Sequence, residues 1–325
     1  MRRAVSILLA AALLVGCSEN ADDDAGERPS TSTIAPSTSA SSIPPTTTSV
    51  PPTTTTVAAG VFDLRPPAPG AGPAALADQI AEAEAAIRDP ATSEIDLGRA
   101  ALAQQVAYRQ LGAHPEWDQA VLAALPEDLR GAVMLHAIAR RELRGMHTKL
   151  SETLPAWRIV EPAPPDELVA TYQEAGAAFD IPWPYLAAIN LVETGMGRIR
   201  GTSTAGAQGP MQFLPSTWDA YGAGGDIEDT HDAVFGAARY LAANNGATDI
   251  ANALFRYNNS NRYVRAVTRY AEIIAAHPRA FLGLYHWGIW YLTADGEVYL
   301  PVGYEQEEPI PVGSYRDLSR SRPAG

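Results

Sequence analysis

The segment 189-INLVETGMGRIRGTSTAGAQGPMQFLPSTW-218 changes from an apolar run to glycines and small polar residues directly after a glutamate. Leu186, Ile189 and Glu193 are spaced i, i+3 and i+7, which predicts a helix with the carboxyl on the same face as two core residues. The glycines that begin at Gly195 predict a sharp turn that ends this helix. We therefore expect Glu193 to be partly buried, with its carboxyl unobstructed at the edge of a cleft.

A carboxyl on an apolar helix face is costly unless the protein uses it. Partial burial is expected to raise the pKa of Glu193, and a carboxylic acid that keeps its proton near neutral pH can donate it to a leaving group. The alternative is a glutamate that faces water at the end of its helix, followed by glycines that serve as the C-cap. The spacing alone does not separate these two interpretations.

The residues that follow Glu193 favour the chemical interpretation. The chain reads STAGAQG from Ser203, PMQFLPSTW from Pro210, and RYN from Arg256. This order and spacing resembles the catalytic domain of the soluble-type and related lytic transglycosylases, members of the lysozyme-like superfamily that cleave peptidoglycan glycan strands. The resemblance covers about 166–277, roughly a third of the chain.

The resemblance implies a role for each matching residue. Glu193 matches the catalytic acid, while Ser203, Gln212 and Tyr257 match positions that line the cleft and contact the sugar. Asn258 completes the family's Tyr-Asn pair. We expect no metal and no cofactor at this site.

Two short segments depart from the family pattern. Thr194-Gly195-Met196-Gly197 stands where many members have a serine and a proline, and Pro210-Met211-Gln212-Phe213 replaces a more usual Leu-Met-Gln-Ile. Both changes also occur in membrane-bound relatives of the family. These changes therefore make the subfamily less certain, and they affect the predicted activity less.

The reaction implied is cleavage of the β-1,4 bond between N-acetylmuramic acid and N-acetylglucosamine, leaving a 1,6-anhydromuramyl end. Glu193 would act first as acid and then as base. One rival is a lysozyme-type muramidase, a hydrolase in which an acidic residue of the run 226–232 directs water. We favour helix capping for Asp229 and Asp232 in that run. The other rival is a non-catalytic peptidoglycan-binding lipoprotein.

The N-terminus predicts export and a lipid anchor. Arg2 and Arg3 precede an apolar run too short to span a bilayer, as in a signal peptide. The run ends in LVGC, which resembles the lipobox of bacterial lipoproteins, so Cys17 is the expected lipidation site. Residues 18–73 are rich in Thr, Ser and Pro and predict a disordered linker. We expect a protein exported to the cell envelope and attached to a bacterial membrane.

The rest of the chain predicts a mainly α fold. Helical periodicity indicates a small helical domain of unknown role at 74–161 and a lysozyme-like catalytic domain at 162–278. The segment 279–325 predicts an aromatic β-hairpin and tail, with its turn at Asp295-Gly296. We expect the aromatic side chains of this hairpin to pack against neighbouring helices more than to stack on sugars.

Composition limits the partners. The formal net charge of −13, without a basic cluster to offset it, argues against nucleic acid. Cys17 is the single cysteine, which excludes an internal disulfide. His114, His136 and His147 lack ligand-spaced partners on one helix face, so we expect no metal site among them. The expected partners are peptidoglycan strands and a membrane, and the sequence identifies no protein partner.

Overall fold

Helices form where apolar residues recur at helical spacing, and they end close to the predicted stop signals. The computed structural model describes residues 60–315, with the exception of the Asp63 side chain. The helices are α1 (Pro73–Arg88), α2 (Glu94–Ala113), α3 (Asp118–Ala124), α4 (Glu127–Arg144), α5 (Pro165–Phe179), α6 (Trp183–Thr194), α7 (Pro215–Tyr221), α8 (Thr230–Ala243), α9 (Ile250–Tyr257), α10 (Asn261–Ala276) and α11 (Ala280–Tyr285). The predicted class, mainly α with a short C-terminal hairpin, is confirmed.

The strands are short and form three antiparallel pairs within the described residues. They are β1 (Thr153–Leu154), β2 (Arg158–Ile159), β3 (Ile199–Arg200), β4 (Ile289–Thr293), β5 (Gly296–Leu300) and β6 (Ile310–Pro311). The pairs are β1 with β6, β2 with β3, and β4 with β5. The β2–β3 pair matters most for the site, because β3 follows directly after the turn that ends α6.

Helix α6, which carries Glu193, lies in the centre of the helical core. It packs against α5, α8 and α10. Each residue of 186–194 is buried. This helix therefore has no face turned to water over its last two turns.

The helices before and after residue 161 share one hydrophobic core. Helix α4 packs on α10, and α2 packs on α4. One cluster of buried residues runs from Leu76 in α1 to Trp287 before β4. Residues 60–315 fall in a single compact unit. The domain boundaries at 74, 162 and 279 stay predictions, but the segments that they separate are in direct contact.

The predicted linker ends earlier than residue 73. Val61–Asp63 form a short 3-10 turn. Val61 lies against Gly98 of α2, and the Phe62 ring packs on Tyr285. Val61 and Phe62 are large apolar residues within the predicted linker, and burying their side chains favours this packing.

The C-terminal hairpin forms as predicted, but its turn lies one residue earlier. Thr293 pairs with Gly296, so Ala294 and Asp295 form the two-residue turn. Gly296 is the first residue of β5, where its positive φ of 108° suits glycine.

The aromatic residues of the hairpin pack inward. Trp290 contacts Tyr299 across the two strands, and Tyr291 packs edge-on against Trp157. Trp287 Nε1 donates to Gln104 Oε1 of α2 at 2.8 Å. This agrees with the expectation that these rings join the hairpin to its neighbours.

Several sequence predictions lie outside the described residues. These are the signal peptide at 1–17, the lipidated Cys17 and the linker up to residue 59. Within 60–315, no helix combines the length and the apolar character that a membrane crossing needs.

Candidate active site

Glu193 is buried more completely than expected, with 0% of its surface exposed. The predicted stripe is present, since Leu186 and Ile189 are equally buried. We expected partial burial because the spacing shows only which face of α6 carries the carboxyl. Helix α10 packs over this face and closes it. The position of Glu193 in the last turn of α6 is as predicted.

The turn after Glu193 is built from three consecutive residues with left-handed backbone. Gly195, Met196 and Gly197 have φ values of 62°, 65° and 79°. The Gly195 N–H donates to the Leu191 carbonyl at 3.0 Å, as in an αL C-cap, and the Met196 N–H donates to the Asn190 carbonyl at 3.1 Å. The predicted sharp turn at the glycines is therefore present.

A buried arginine holds the turn from the other side. Arg198 Nη1 donates to the Gly195 carbonyl at 2.8 Å, and Nη2 donates to the carbonyl of Tyr285. The guanidinium lies 5.4 Å from the Phe62 ring centre and 5.3 Å from that of Tyr285. Burial lowers the pKa of Arg198 to about 10, so it stays charged at neutral pH. Sequence analysis did not single out this residue.

Helix α6 also fixes the loop that carries Gln212. The Thr194 hydroxyl donates to the Pro210 carbonyl at 2.6 Å, and Asn190 Nδ2 donates to the same oxygen at 2.8 Å. Asn190 Oδ1 in turn accepts from the Tyr172 hydroxyl at 2.6 Å. Polar side chains on the buried face of α6 thus bind backbone of the PMQF segment, which positions the loop beside the end of the helix.

Gln212 is fully buried with a left-handed backbone, φ 51°. Its Nε2 donates to the Gly209 carbonyl at 2.9 Å. Its Oε1 is buried and accepts no hydrogen bond from the described residues. A buried acceptor without a donor is costly, and a ligand that supplies an N–H or O–H would relieve that cost.

Ser203 lies at the start of a tight turn and is half-buried. Its Oγ accepts from the Ala207 N–H at 3.0 Å, and its own N–H donates to the Ala207 carbonyl at 2.9 Å. In this structure the Ser203 hydroxyl therefore orders its own loop. Its predicted contact with a sugar stays a prediction.

Tyr257 and Asn258 end helix α9 and are both buried. The Tyr257 hydroxyl donates to the Met211 carbonyl at 2.6 Å, so it anchors the PMQF segment. Asn258 Nδ2 is buried and finds no acceptor in the part of the chain that the structure describes. The structure thus places the Tyr257 hydroxyl against the loop of Gln212, and the sugar contacts expected of Tyr257 and Asn258 stay predictions.

Tyr263 lies at the candidate site, and sequence analysis missed it. Its hydroxyl donates to Glu193 Oε1 at 2.8 Å, from the first turn of α10. Its ring lies parallel to that of Tyr257, with the centres 6.4 Å apart. Burial, and then the charge of Glu193, raise the pKa of Tyr263 well above its usual value, so the phenol remains a donor. The sequence pattern that could have identified Tyr263 is its helical spacing with Val267 and Tyr270, which places it on the buried face of α10.

The acidic run after Gly225 serves mainly as a helix start, which confirms the capping interpretation for Asp229. Asp229 caps α8 by accepting from the Asp232 N–H at 2.9 Å. The Asp232 carboxylate accepts from the Asp226 N–H, and Glu228 lies 3.7 Å from Arg200.

Asp229, His231 and Asp232 are the described residues best placed to offer a metal three ligands. One ligand atom of each lies within 4.8 Å of the others. However, Asp229 and Asp232 already accept backbone hydrogen bonds, and the His231 ring stacks on Phe235. These contacts account for the group without a metal.

The comparisons with known proteins point to the same segment as the geometry. Neither the search of curated proteins nor the search of solved structures found a match. Residues 170–276 match the family model described as Transglycosylase SLT domain. This segment contains Glu193, Gln212, Tyr257 and Tyr263, and the match supports a lytic-transglycosylase-type activity on peptidoglycan within a lysozyme-like fold.

Proposed function

We propose that this protein is a peptidoglycan lytic transglycosylase in which Glu193 acts as both acid and base. The observation that carries the proposal is the buried carboxyl at the end of α6, held at 2.8 Å by the Tyr263 hydroxyl. It lies inside the segment that matches the transglycosylase family. The substrate is the glycan strand, cut at the β-1,4 bond between N-acetylmuramic acid and N-acetylglucosamine.

The reaction uses one carboxyl twice. Protonated Glu193 gives its proton to the glycosidic oxygen as the bond from that oxygen to C1 of the muramyl sugar breaks. The Glu193 carboxylate then takes the proton of the muramyl C6 hydroxyl, whose oxygen bonds to C1. The proton is restored, no water is consumed, and the products are a 1,6-anhydromuramyl end and a free 4-hydroxyl.

The residues around Glu193 support this chemistry in different ways. Tyr263 fixes one carboxyl oxygen and so orients the group toward the bond. Gln212 Oε1 and Asn258 Nδ2 are an acceptor and a donor that an N-acetylated sugar could satisfy. Because Glu193 is fully buried, the glycan must displace the groups that cover it, which would also exclude water from the oxocarbenium-like transition state.

The experiment is mass spectrometry of the soluble products that the purified full-length chain releases from peptidoglycan. A Glu193→Gln protein is the matched control, since it keeps the shape and removes the acid. Anhydromuropeptides that disappear with Glu193→Gln support the proposal. Reducing ends would support a lysozyme-type hydrolase, and pelleting with the wall without release would support a binding lipoprotein.

We also propose that the protein is exported and anchored through a lipid on Cys17. The support is the order of charge, apolar run and LVGC at the N-terminus. Labelling of growing bacterial cells with a fatty acid tests it. Cys17→Ser should abolish incorporation and release the protein from the membrane fraction, and labelled Cys17→Ser protein would refute the anchor.

A further inference from the structure

A positively charged cavity lies between the first helices and the hairpin, away from the residues assigned above. It has a volume of about 200 Å³. The charged side chains that line it are Arg109, Arg140, Arg144 and Glu297. Three positive charges therefore face one negative charge, in a protein whose formal net charge is −13.

The three arginines share a single carboxylate. Arg109 Nε donates to Glu297 Oε2 at 2.9 Å, and its Nη2 lies 2.5 Å from Oε1. The same Oε1 lies 3.6 Å from Arg140 Nη2 and 3.8 Å from Arg144 Nη1. Glu297 is thus well paired by Arg109 alone, and the other two guanidiniums are left with weak electrostatic contacts to it.

Burial makes this arrangement costly. The side chains of Arg109 and Arg140 are only 7% and 12% exposed. Burial, and then the charge of Arg140, lower the pKa of Arg109 to about 9. Arg140 Nε is buried and donates to no acceptor among residues 60–315. The Arg109–Glu297 ion pair alone would join the hairpin to α2. The two additional positive charges, on Arg140 and Arg144, therefore need another explanation.

A neighbouring cavity lies between these arginines and the end of α6. This second, smaller cavity of about 40 Å³ shares Arg109 and Arg140 with the first. This second cavity is also lined by Val192 and Gly195, the neighbours of Glu193 in the chain. The Trp290 ring packs on the Arg109 guanidinium at 4.8 Å and holds it in place. A ligand in the cavity would therefore bind close to the last turn of α6.

We propose that the cavity lined by Arg109, Arg140 and Arg144 binds a carboxylate, and that this carboxylate belongs to the peptide stem of the peptidoglycan strand. Guanidinium groups bind carboxylates through paired N–H donors. A water molecule occupies about 30 Å³ of liquid, so the cavity has room for a carboxylate on a short aliphatic chain. The inference rests on the proposed function, because it assumes that the same strand is cut at Glu193.

The test compares cleavage of two substrates by the full-length protein. One is intact peptidoglycan, and the other is peptidoglycan whose free carboxyls have been converted to amides with carbodiimide and ammonia. We expect the wild-type protein to cleave the intact substrate roughly 10- to 150-fold faster, the effect of one charge-assisted hydrogen bond. Arg140→Gln and Arg144→Gln should lose this preference and keep the rate on the amidated substrate.

The variants are chosen to separate binding from folding. Arg144 is 49% exposed, so Arg144→Gln should fold even if Arg140→Gln does not. Arg99→Gln removes the same charge from an exposed site on α2, where Arg99 pairs with Asp96 at 2.8 Å, and should keep the wild-type preference. Equal wild-type rates on both substrates would overturn the carboxylate site and leave the proposed function intact. No cleavage of either substrate would instead refute the proposed function, and the stem site with it.

A binding measurement distinguishes the carboxylate from a phosphate of another wall polymer. Thermal unfolding is followed with the stem tripeptide or with inorganic phosphate. The tripeptide should raise the melting temperature of the wild-type and Arg99→Gln proteins and not that of Arg144→Gln. Stabilisation by phosphate without stabilisation by the tripeptide would overturn the assignment to the stem.

Discussion

Replacing Tyr263 with phenylalanine removes one oxygen atom and the hydrogen bond that orients Glu193. The bond joins a phenol and a carboxyl at 2.8 Å, and both groups are buried. A hydrogen bond to a charged group contributes about 1.5–3 kcal/mol, and 1.4 kcal/mol corresponds to a factor of ten. If the bond keeps this strength in the transition state, Tyr263→Phe should lower kcat/KM by roughly 10- to 150-fold.

Tyr257 provides a matched control, because it is equally buried and its ring lies parallel to that of Tyr263. Its hydroxyl binds the Met211 carbonyl, not a carboxyl. Tyr257→Phe leaves that carbonyl without its donor, which should cost about 1–3 kcal/mol of folding free energy. On this geometry, the variant should be less stable but should lose much less activity than Tyr263→Phe.

The assay is the rate of release of soluble muropeptides at several peptidoglycan concentrations, with urea unfolding of each protein as the control for stability. A Tyr263→Phe enzyme with the wild-type rate would refute the role given to this hydrogen bond. Equal losses of activity in Tyr257→Phe and Tyr263→Phe would instead favour the sugar contact that the family resemblance implies for Tyr257.

Two further predictions concern capping and pH. Asp229→Ala removes the N-cap of α8 and should lower the free energy of unfolding in urea by about 1 kcal/mol, with the cleavage rate unchanged. A loss of cleavage with the fold intact would instead favour a muramidase in which this carboxylate directs water. Burial lowers the pKa of His136 to about 4, so as pH falls from about 7 toward 4 the unfolded state takes up the proton first and stability is lost. At pH 5 the loss of folding free energy is ~2 kcal/mol. His136→Phe should therefore reduce the decline of the urea midpoint between pH 7 and pH 5. An unchanged decline would show that His136 does not cause the loss of stability.

The local parts of the fold could be predicted from the sequence because they depend on spacing within one segment. The stripe of Leu186, Ile189 and Glu193, the turn at Gly195 and the cap at Asp229 each follow from residues a few positions apart. The pairs of two-residue strands, β1 with β6 and β2 with β3, could not be predicted in this way. Thr153 meets Pro311 across more than 150 positions, and strands of two residues leave too short a pattern to recognise.

The sequence predicts the glutamate at the centre of the candidate site, but it does not predict which distant residues surround it. Glu193 could be identified from its helix and its motif, but Tyr263 is one of 13 tyrosines, and nothing local to it distinguishes it from a core residue. The arginine cavity is even harder to predict from the sequence, because Arg109 and Glu297 are 188 positions apart. Such contacts depend on how the helices pack, which periodicity does not determine.

The central claim is that the C6 hydroxyl of the muramyl sugar, and not water, closes onto C1. Digestion of peptidoglycan in water enriched in oxygen-18, followed by mass spectrometry of the products, tests it most directly. The account predicts 1,6-anhydromuramyl ends without the heavy oxygen, and no products from Glu193→Gln. Reducing ends that carry one oxygen-18 atom would contradict it and would identify the enzyme as a hydrolase.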